Sequence, residues 1–304
     1  MEYSIVEATQ WCKSTFADAF FNVISWFGTE LFFLIVFTAL YWTYRKEFAL
    51  KFGLFYLVSV GINGFLKVVI NRTRPNGQGH SFPSGHSQSY AVQAGMIGYE
   101  VFKSPNVKKS RKWIVVAELI IGWIFVAYSR LYLNKHFLTD VLAGLLIALI
   151  IAIVCNMVWD TIPAKFKTLK IKRIFMYILM AGSLAIYIAF SISQKMLEGE
   201  NWLTIYNMAG AIIGICAGDM LNDKFVTYKP SEDKFSAKIL KAALGFGVMA
   251  LYYYFVVLEW GNKLAYLLPP LYMVMMFIVT FVFPIIFQKW SNEDKRISNI
   301  KDED

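Results

Sequence analysis

Lys67, Arg74, Ser84, Gly85, His86, Arg130, His136 and Asp140 fall in three short strings of a 304-residue chain, KVVINRTRP (67–75), PSGH (83–86) and SRLYLNKHFLTD (129–140). These residue types handle phosphate and protons. Arginine grips phosphate oxygens in pairs, and lysine acts as a point charge, so Lys67, Arg74 and Arg130 together could hold a phosphoryl group. Lys67 and Arg74 are seven residues apart, two helical turns, and share a face if their helix runs on to Pro75. Pro83 and Ser84 are helix-starting residues, and a helix beginning there contributes unpaired N–H groups and a positive dipole end.

The imidazoles supply the rest of the chemistry. His136 and Asp140 have i, i+4 spacing, which predicts one ring nitrogen bonded to the carboxylate and the other left free to attack. His86 is suited to protonating a leaving alkoxide and then activating water. Each string alone has a plainer reading: Lys67 reaching toward headgroups, Arg74-Pro75 and Pro83-Ser84 as helix ends, His136 and Asp140 as a surface pair. No structural need explains the whole set. His80, the remaining histidine, is expected to be an exposed loop residue.

The elements that must position these strings are membrane helices. The chain is 57% hydrophobic and 17% aromatic, with a mean hydropathy of +0.49, too apolar for an ordinary soluble domain. Apolar runs near 28–44, 48–70, 84–102, 113–131, 137–159, 173–193, 204–221, 238–258 and 265–288 are each of membrane-crossing length, for eight or nine spans in an all-α polytopic bundle. Residues 11–27 carry Phe16, Phe20, Val23 and Phe27 at helical spacing, which suits an interfacial helix. The net charge of +9 sits in short clusters between apolar runs rather than on one face, so membrane topology explains it and nucleic acid is not expected.

Most Lys and Arg residues fall on one side of these spans, in clusters such as Lys103–Lys112 and Lys165–Arg173. By the positive-inside rule that side is cytoplasmic, the three strings face outward, and the C-terminus is cytoplasmic. The acidic N-terminus lacks the basic region of a cleaved signal peptide, so the first membrane helix is expected to act as an uncleaved signal. Three distant cysteines imply neither a disulfide framework nor a zinc site.

Lys-x6-Arg-Pro, Pro-Ser-Gly-His and Ser-Arg-x5-His-x3-Asp, in this order, resemble the three-part signature of the type 2 phosphatidic acid phosphatase (PAP2) superfamily, in its membrane lipid phosphate phosphatase branch. The resemblance covers roughly residues 28–160. It implies a helical catalytic core and a metal-independent phosphohydrolase without a cofactor. It also implies that Lys67, Arg74, Arg130, Ser84 and Gly85 bind the phosphoryl oxygens, that His136 forms a phosphohistidine oriented by Asp140, and that His86 is the general acid and base. The implied substrate is a lipid phosphate monoester or diphosphate, such as undecaprenyl diphosphate, phosphatidate or phosphatidylglycerophosphate, met among membrane lipids. A phosphotransferase acting on a lipid acceptor and a catalytically silent binding or transport protein are the alternatives. Asn134 stands where many relatives have Gly, so fit near the nucleophile is expected to differ.

The expected organisation is an interfacial N-terminal helix (1–27), a catalytic membrane core (28–160), and accessory helices with a short tail (161–304). Gly210, Gly214 and Gly218 form a small-residue face, expected to pack within the chain, with homodimerisation as the alternative. Glu118 and Asp219, inside apolar runs, are expected to snorkel or pair.

Overall fold

A computed structural model of the chain describes residues 2–161, 200–230, 233–260 and 267–291, with isolated positions between 174 and 185. Among the described residues the regular elements are all helical: α1 (Glu2–Thr9), α2 (Thr15–Trp26), α3 (Glu30–Thr43), α4 (Lys46–Ile70), α5 (Gly85–Lys103), α6 (Lys109–Tyr132), α7 (Leu138–Thr161), α8 (Glu200–Phe225), α9 (Phe235–Tyr252) and α10 (Leu268–Phe277). α9 and α10 each continue into a π-helical stretch, Tyr253–Trp260 and Ile278–Val282.

Six described helical stretches are long and apolar enough to cross a membrane, and α2 with α3 would make a seventh as one span bent by 46°. The count of eight or nine is therefore not reached among the described residues. The run at 173–193 lies outside them. α5 has the length but not the composition, because Ser87, Gln88, Ser89 and Gln93 are buried along it. A helix this polar must be shielded from lipid, and α5 packs against both α6 and α7.

Contacts divide the chain into two compact units, Met1–Leu34 with Phe55–Pro163, and Ile35–Leu54 with Ala164–Asp304. In the first unit, α4 holds the start of α5 through polar groups. Gln88 donates to the backbone and hydroxyl oxygens of Ser59 (both 2.9 Å), and Asn63 donates to Gln88 Oε1 (2.8 Å) and the Pro83 carbonyl (3.3 Å). α7 closes on the same turn at Gly144, where an added Cβ would lie 2.8 Å from the Ser84 carbonyl oxygen. α2 begins at its N-cap Ser14, whose hydroxyl accepts from Ala17 N–H, and buries Phe21 and Ser25. Phe16 and Val23 stay exposed.

In the second unit, Gly210 and Gly214 of α8 meet the carbonyls of Pro269 and Met273, and Gly218 meets the Thr280 side chain. The small-residue face is thus filled from within the chain. Backbone carbonyls of the π-helical stretch Ile278–Val282 accept hydrogen bonds from side chains. Here Trp42 donates to Val279 O (2.9 Å), while Tyr41 (3.1 Å) and Asn222 (2.9 Å) donate to Thr280 O. Asp219 is buried and accepts from the Tyr41 hydroxyl at 3.0 Å, so it pairs. Glu118 is exposed, 3.9 Å from Arg111.

Candidate active site

The first unit brings all eight proposed site residues onto the ends of four helices and the loops between them. α4 ends at Ile70, earlier than the distance to Pro75 requires, so Lys67 and Arg74 do not share a helix face. Asn71 takes a left-handed conformation (φ 50°), which reverses the chain after the helix. The returning loop is tied by the Thr73–His80 bridge, and Arg74 Nε donates to the His80 carbonyl at 3.0 Å. His80 therefore contributes a backbone oxygen that steadies Arg74. Lys67 reaches the start of α5 by another route: its Nζ lies 3.6 Å from where a Cβ on Gly85 would stand.

Ser84 is the N-cap of α5, yet its side chain makes no capping bond to the backbone. Its hydroxyl donates to Ser87 Oγ at 3.1 Å, and its N–H is taken by the Asp140 carbonyl at 2.9 Å. The N–H groups of the first turn beyond it have no intrahelical acceptor, the property that makes a helix start attractive to an anion. His86, in that turn, is packed so closely on Gly28 that a Cβ there would lie 2.7 Å from the histidine Cβ. Lys67, Arg74, Arg130 and His136 all act on it electrostatically.

The third string is shaped by the end of α6. Asn134 N–H donates to Leu131 O (3.0 Å) and Lys135 N–H to Arg130 O (3.0 Å), a Schellman closure with Asn134 left-handed at φ 56°. His136 N–H shares the Arg130 carbonyl at 3.3 Å, so the proposed nucleophile and the arginine proposed to bind phosphate hang from one backbone oxygen. Glycine or asparagine suits this conformation, which gives Asn134 a backbone reason and bears on substrate fit only indirectly. Asn134→Gly should therefore keep activity and stability, whereas Asn134→Val should lower stability by about 1–2 kcal/mol, read from thermal melts of the two variants.

His136 precedes α7 instead of lying on it, so the helical i, i+4 geometry expected for His136 and Asp140 does not form. His136 Nδ1 is 3.7 Å from Asp140 Oδ2, too far for a hydrogen bond, and has no other partner. Asp140 is occupied elsewhere. Its Oδ2 accepts from Phe137 N–H at 2.8 Å, the reach-back bond of a capping box, and its Oδ1 accepts from Arg72 Nη1 at 2.9 Å. His136 is 1% exposed, and this burial pushes its pKa down to about 4; Asp140 opposes the shift, while Arg130, Lys67 and Arg74 add to it. The ring is neutral at pH 7, as a nucleophile must be.

Arg130 is 7% exposed; its Nη1 donates to Ser25 Oγ of α2, and its Nε makes no hydrogen bond. Sequence reasoning passed over Ser25, Gly28 and Arg72. Arg72 had a signal, standing inside the first string, but Ser25 had none, since one serine in an apolar helix is unremarked. What the arrangement can do is hold a tetrahedral anion among three cations and a helix start, beside one neutral imidazole with a second close by.

Two family models match the chain: "PAP2 superfamily" over residues 48–164, and "PAP2 superfamily phosphatase, transmembrane extension" over residues 206–295. The chain belongs to the PAP2 superfamily and is an integral membrane protein. It is 35% identical over 119 residues to phosphatidylglycerophosphatase B of Bacillus subtilis (strain 168), a match covering 36% of this chain and 57% of that protein. It is 24% identical over 162 residues to a probable sphingosine-1-phosphate phosphatase of Dictyostelium discoideum, covering 49% of this chain and 40% of that one. The chain spans about half the length of these curated relatives. Among solved structures it is similar to the first transmembrane PAP2 type phosphatidylglycerolphosphate phosphatase from Bacillus subtilis, with a TM-score of 0.48 and 26% identity over 54% of this chain and 86% of that one. Aquifex aeolicus LpxE gives a TM-score of 0.42 and 24% identity over 51% and 93% of the respective chains.

Proposed function

We propose that this protein hydrolyses a lipid phosphate monoester or diphosphate at the extracytoplasmic face of the membrane, through a phosphohistidine on His136. The observation that carries this reading is the buried, neutral His136 beside three cations that can hold a phosphoryl group. Lys67, Arg74, Arg130 and the N–H groups after Ser84 and Gly85 bind the phosphoryl oxygens and take up the charge of the transition state. His136 attacks phosphorus, and His86 gives its proton to the departing group, the lipid alkoxide of a monoester or the lipid monophosphate of a diphosphate. Water then enters, His86 takes its proton, and the P–N bond breaks to release orthophosphate. In this proposal His136 carries its remaining proton on Nδ1, and the developing positive ring draws in Asp140.

The catalytic roles of the cations and imidazoles need no metal or cofactor. The catalytic core is assigned to residues 28–160, with residues 1–27 lying at the interface and residues 161–304 as accessory helices, in a chain of eight or nine spans. Phosphatidylglycerophosphate, phosphatidate, undecaprenyl diphosphate and a sphingoid-base phosphate are the candidate substrates, the first and last supported by the names of the relatives.

Purified protein in detergent, with EDTA present, should release phosphate from one or more of these lipids and trap a labelled, acid-labile phosphoprotein. Trapping should persist down to about pH 5 and fall as the pH approaches 4, because protonation of His136 removes the attacking lone pair. A strict requirement for a divalent ion would overturn the mechanism. Transfer of the label to a lipid acceptor instead of water would replace hydrolase with phosphotransferase. Trapping nothing from any lipid would favour a binding protein.

A further inference from the structure

α1 lies outside both matched segments, yet it is built into the third string. Arg72 forms a hub there. Nη1 donates to Asp140 Oδ1 (2.9 Å) and to Thr139 Oγ1 (2.7 Å), and Nη2 is paired with Glu2. Thr139 donates in turn to Glu2 Oε1 at 2.5 Å, which closes a ring of groups from α1, the post-α4 loop and α7. The Arg72 guanidinium lies 4.3 Å over the Phe137 ring, and Tyr3 meets the edge of the same ring at 5.0 Å. The far end of α1 is tied to α6 by Tyr128 Oη, which donates to Thr9 O at 3.0 Å. The helix is therefore anchored at both ends around Phe137, the residue that follows His136.

We propose that Arg72, held by Glu2 of α1, is a positioning residue for His136, acting through Asp140. The carboxylate of Asp140 has two oxygens. The capping bond to Phe137 N–H fixes one and Arg72 fixes the other, so the carboxylate is locked near His136 Nδ1 without bonding it. Arg72 also offsets the negative charge that His136 sees, and Glu2 offsets Arg72. Removing Arg72 exposes His136 to the full carboxylate. Removing the charge of Glu2 leaves Arg72 to act on Asp140 alone, so the two variants push the imidazole in opposite directions. The other charged groups around His136 are unchanged in both: Lys67 of α4, Arg74 of the loop, His86 of α5 and Arg130 of α6.

This inference deepens the phosphatase reading, so its test has one arm that needs no activity. Protein labelled with 15N only at histidine carries three imidazoles, and titration in detergent follows each ring. Arg72→Gln should move the His136 titration to higher pH, Arg72→Lys should leave it close to the wild-type position, and Glu2→Gln should move it to lower pH. Arg111→Gln, an equal charge change on an exposed residue at the opposite end of α6, should move nothing. In the second arm, Arg72→Gln should lower kcat by about 10-fold or more with KM little changed, as expected for lost orientation. Unmoved titrations in both Arg72→Gln and Glu2→Gln would overturn the proposal, whatever the activity. Should Arg72→Gln fail to fold, Glu2→Gln decides alone: its side chain is partly exposed, so the variant folds, and a wild-type titration in it sinks the idea. If wild-type protein released no phosphate from any lipid, the phosphatase reading would fail while the titration arm still judged the hub.

Discussion

His136→Ala should cut phosphate release by about 10⁴-fold or more and abolish the trapped phosphoprotein, while the protein still purifies as a folded species. The size follows from the role. If His136 forms the bond to phosphorus, nothing else in the described site replaces it: His86 sits on α5, packed against Gly28, and serves the leaving group. The two histidines can be separated by the choice of substrate. An aryl phosphate leaves without needing a proton, so His86→Ala should still form the phosphohistidine from it and then stall, because water activation also needs His86. His136→Ala should form none from any ester. A variant lacking His136 that hydrolysed lipid phosphate at the wild-type rate would end the mechanism, and equal behaviour of the two variants on an aryl ester would end the division of roles.

Arg130→Met should lower activity by about 10³-fold and, unlike most core substitutions, raise thermal stability. Arg130 is nearly buried, its Nε is unpartnered, its Nη1 is held by a neutral hydroxyl, and Arg74 repels it. A desolvated charge so weakly compensated costs the folded state, and an apolar side chain of similar length removes that cost. In the proposed mechanism the anion that compensates it is the substrate itself. Phosphate or vanadate should therefore raise the melting temperature of the wild-type protein and have much less effect on Arg130→Met. A variant less stable than wild type in the absence of anion would mean that Arg130 holds the fold together, contrary to this account.

The helices were legible because their signals are local. Membrane-crossing runs announce themselves by length and apolar content, and the observed α4, α6, α7, α8 and α10 follow the expected runs to within a few residues at most ends. α5 reads in the sequence as one more apolar run, although the buried Ser87, Gln88, Ser89 and Gln93 make it a polar helix sheltered by its neighbours. Composition averaged over a window cannot tell a helix that meets lipid from one that meets protein. The two wrong geometries, Lys67 with Arg74 and His136 with Asp140, share one cause. Both assumed that a helix continues through residues where the chain in fact turns, at the left-handed Asn71 and after the Schellman closure at Asn134. Asparagine after an apolar run is a recognisable helix stop, so this part was readable in principle.

The sequence by itself determined which side chains are proposed to carry the chemistry, that helices hold them, and to which superfamily the chain belongs, because residue type and short-range spacing are enough for each. Only the tertiary structure decided who holds those side chains. Ser25 meets Arg130 from 105 residues away, Arg72 meets Asp140 from 68, and Thr139 meets Glu2 from 137. Contacts of this kind rest on one or two hydrogen bonds between residues with no shared periodicity. They exist because apolar packing of α1, α2, α6 and α7 brings those backbones together, and packing is non-directional, so it leaves no pattern along the chain from which the partners could be read.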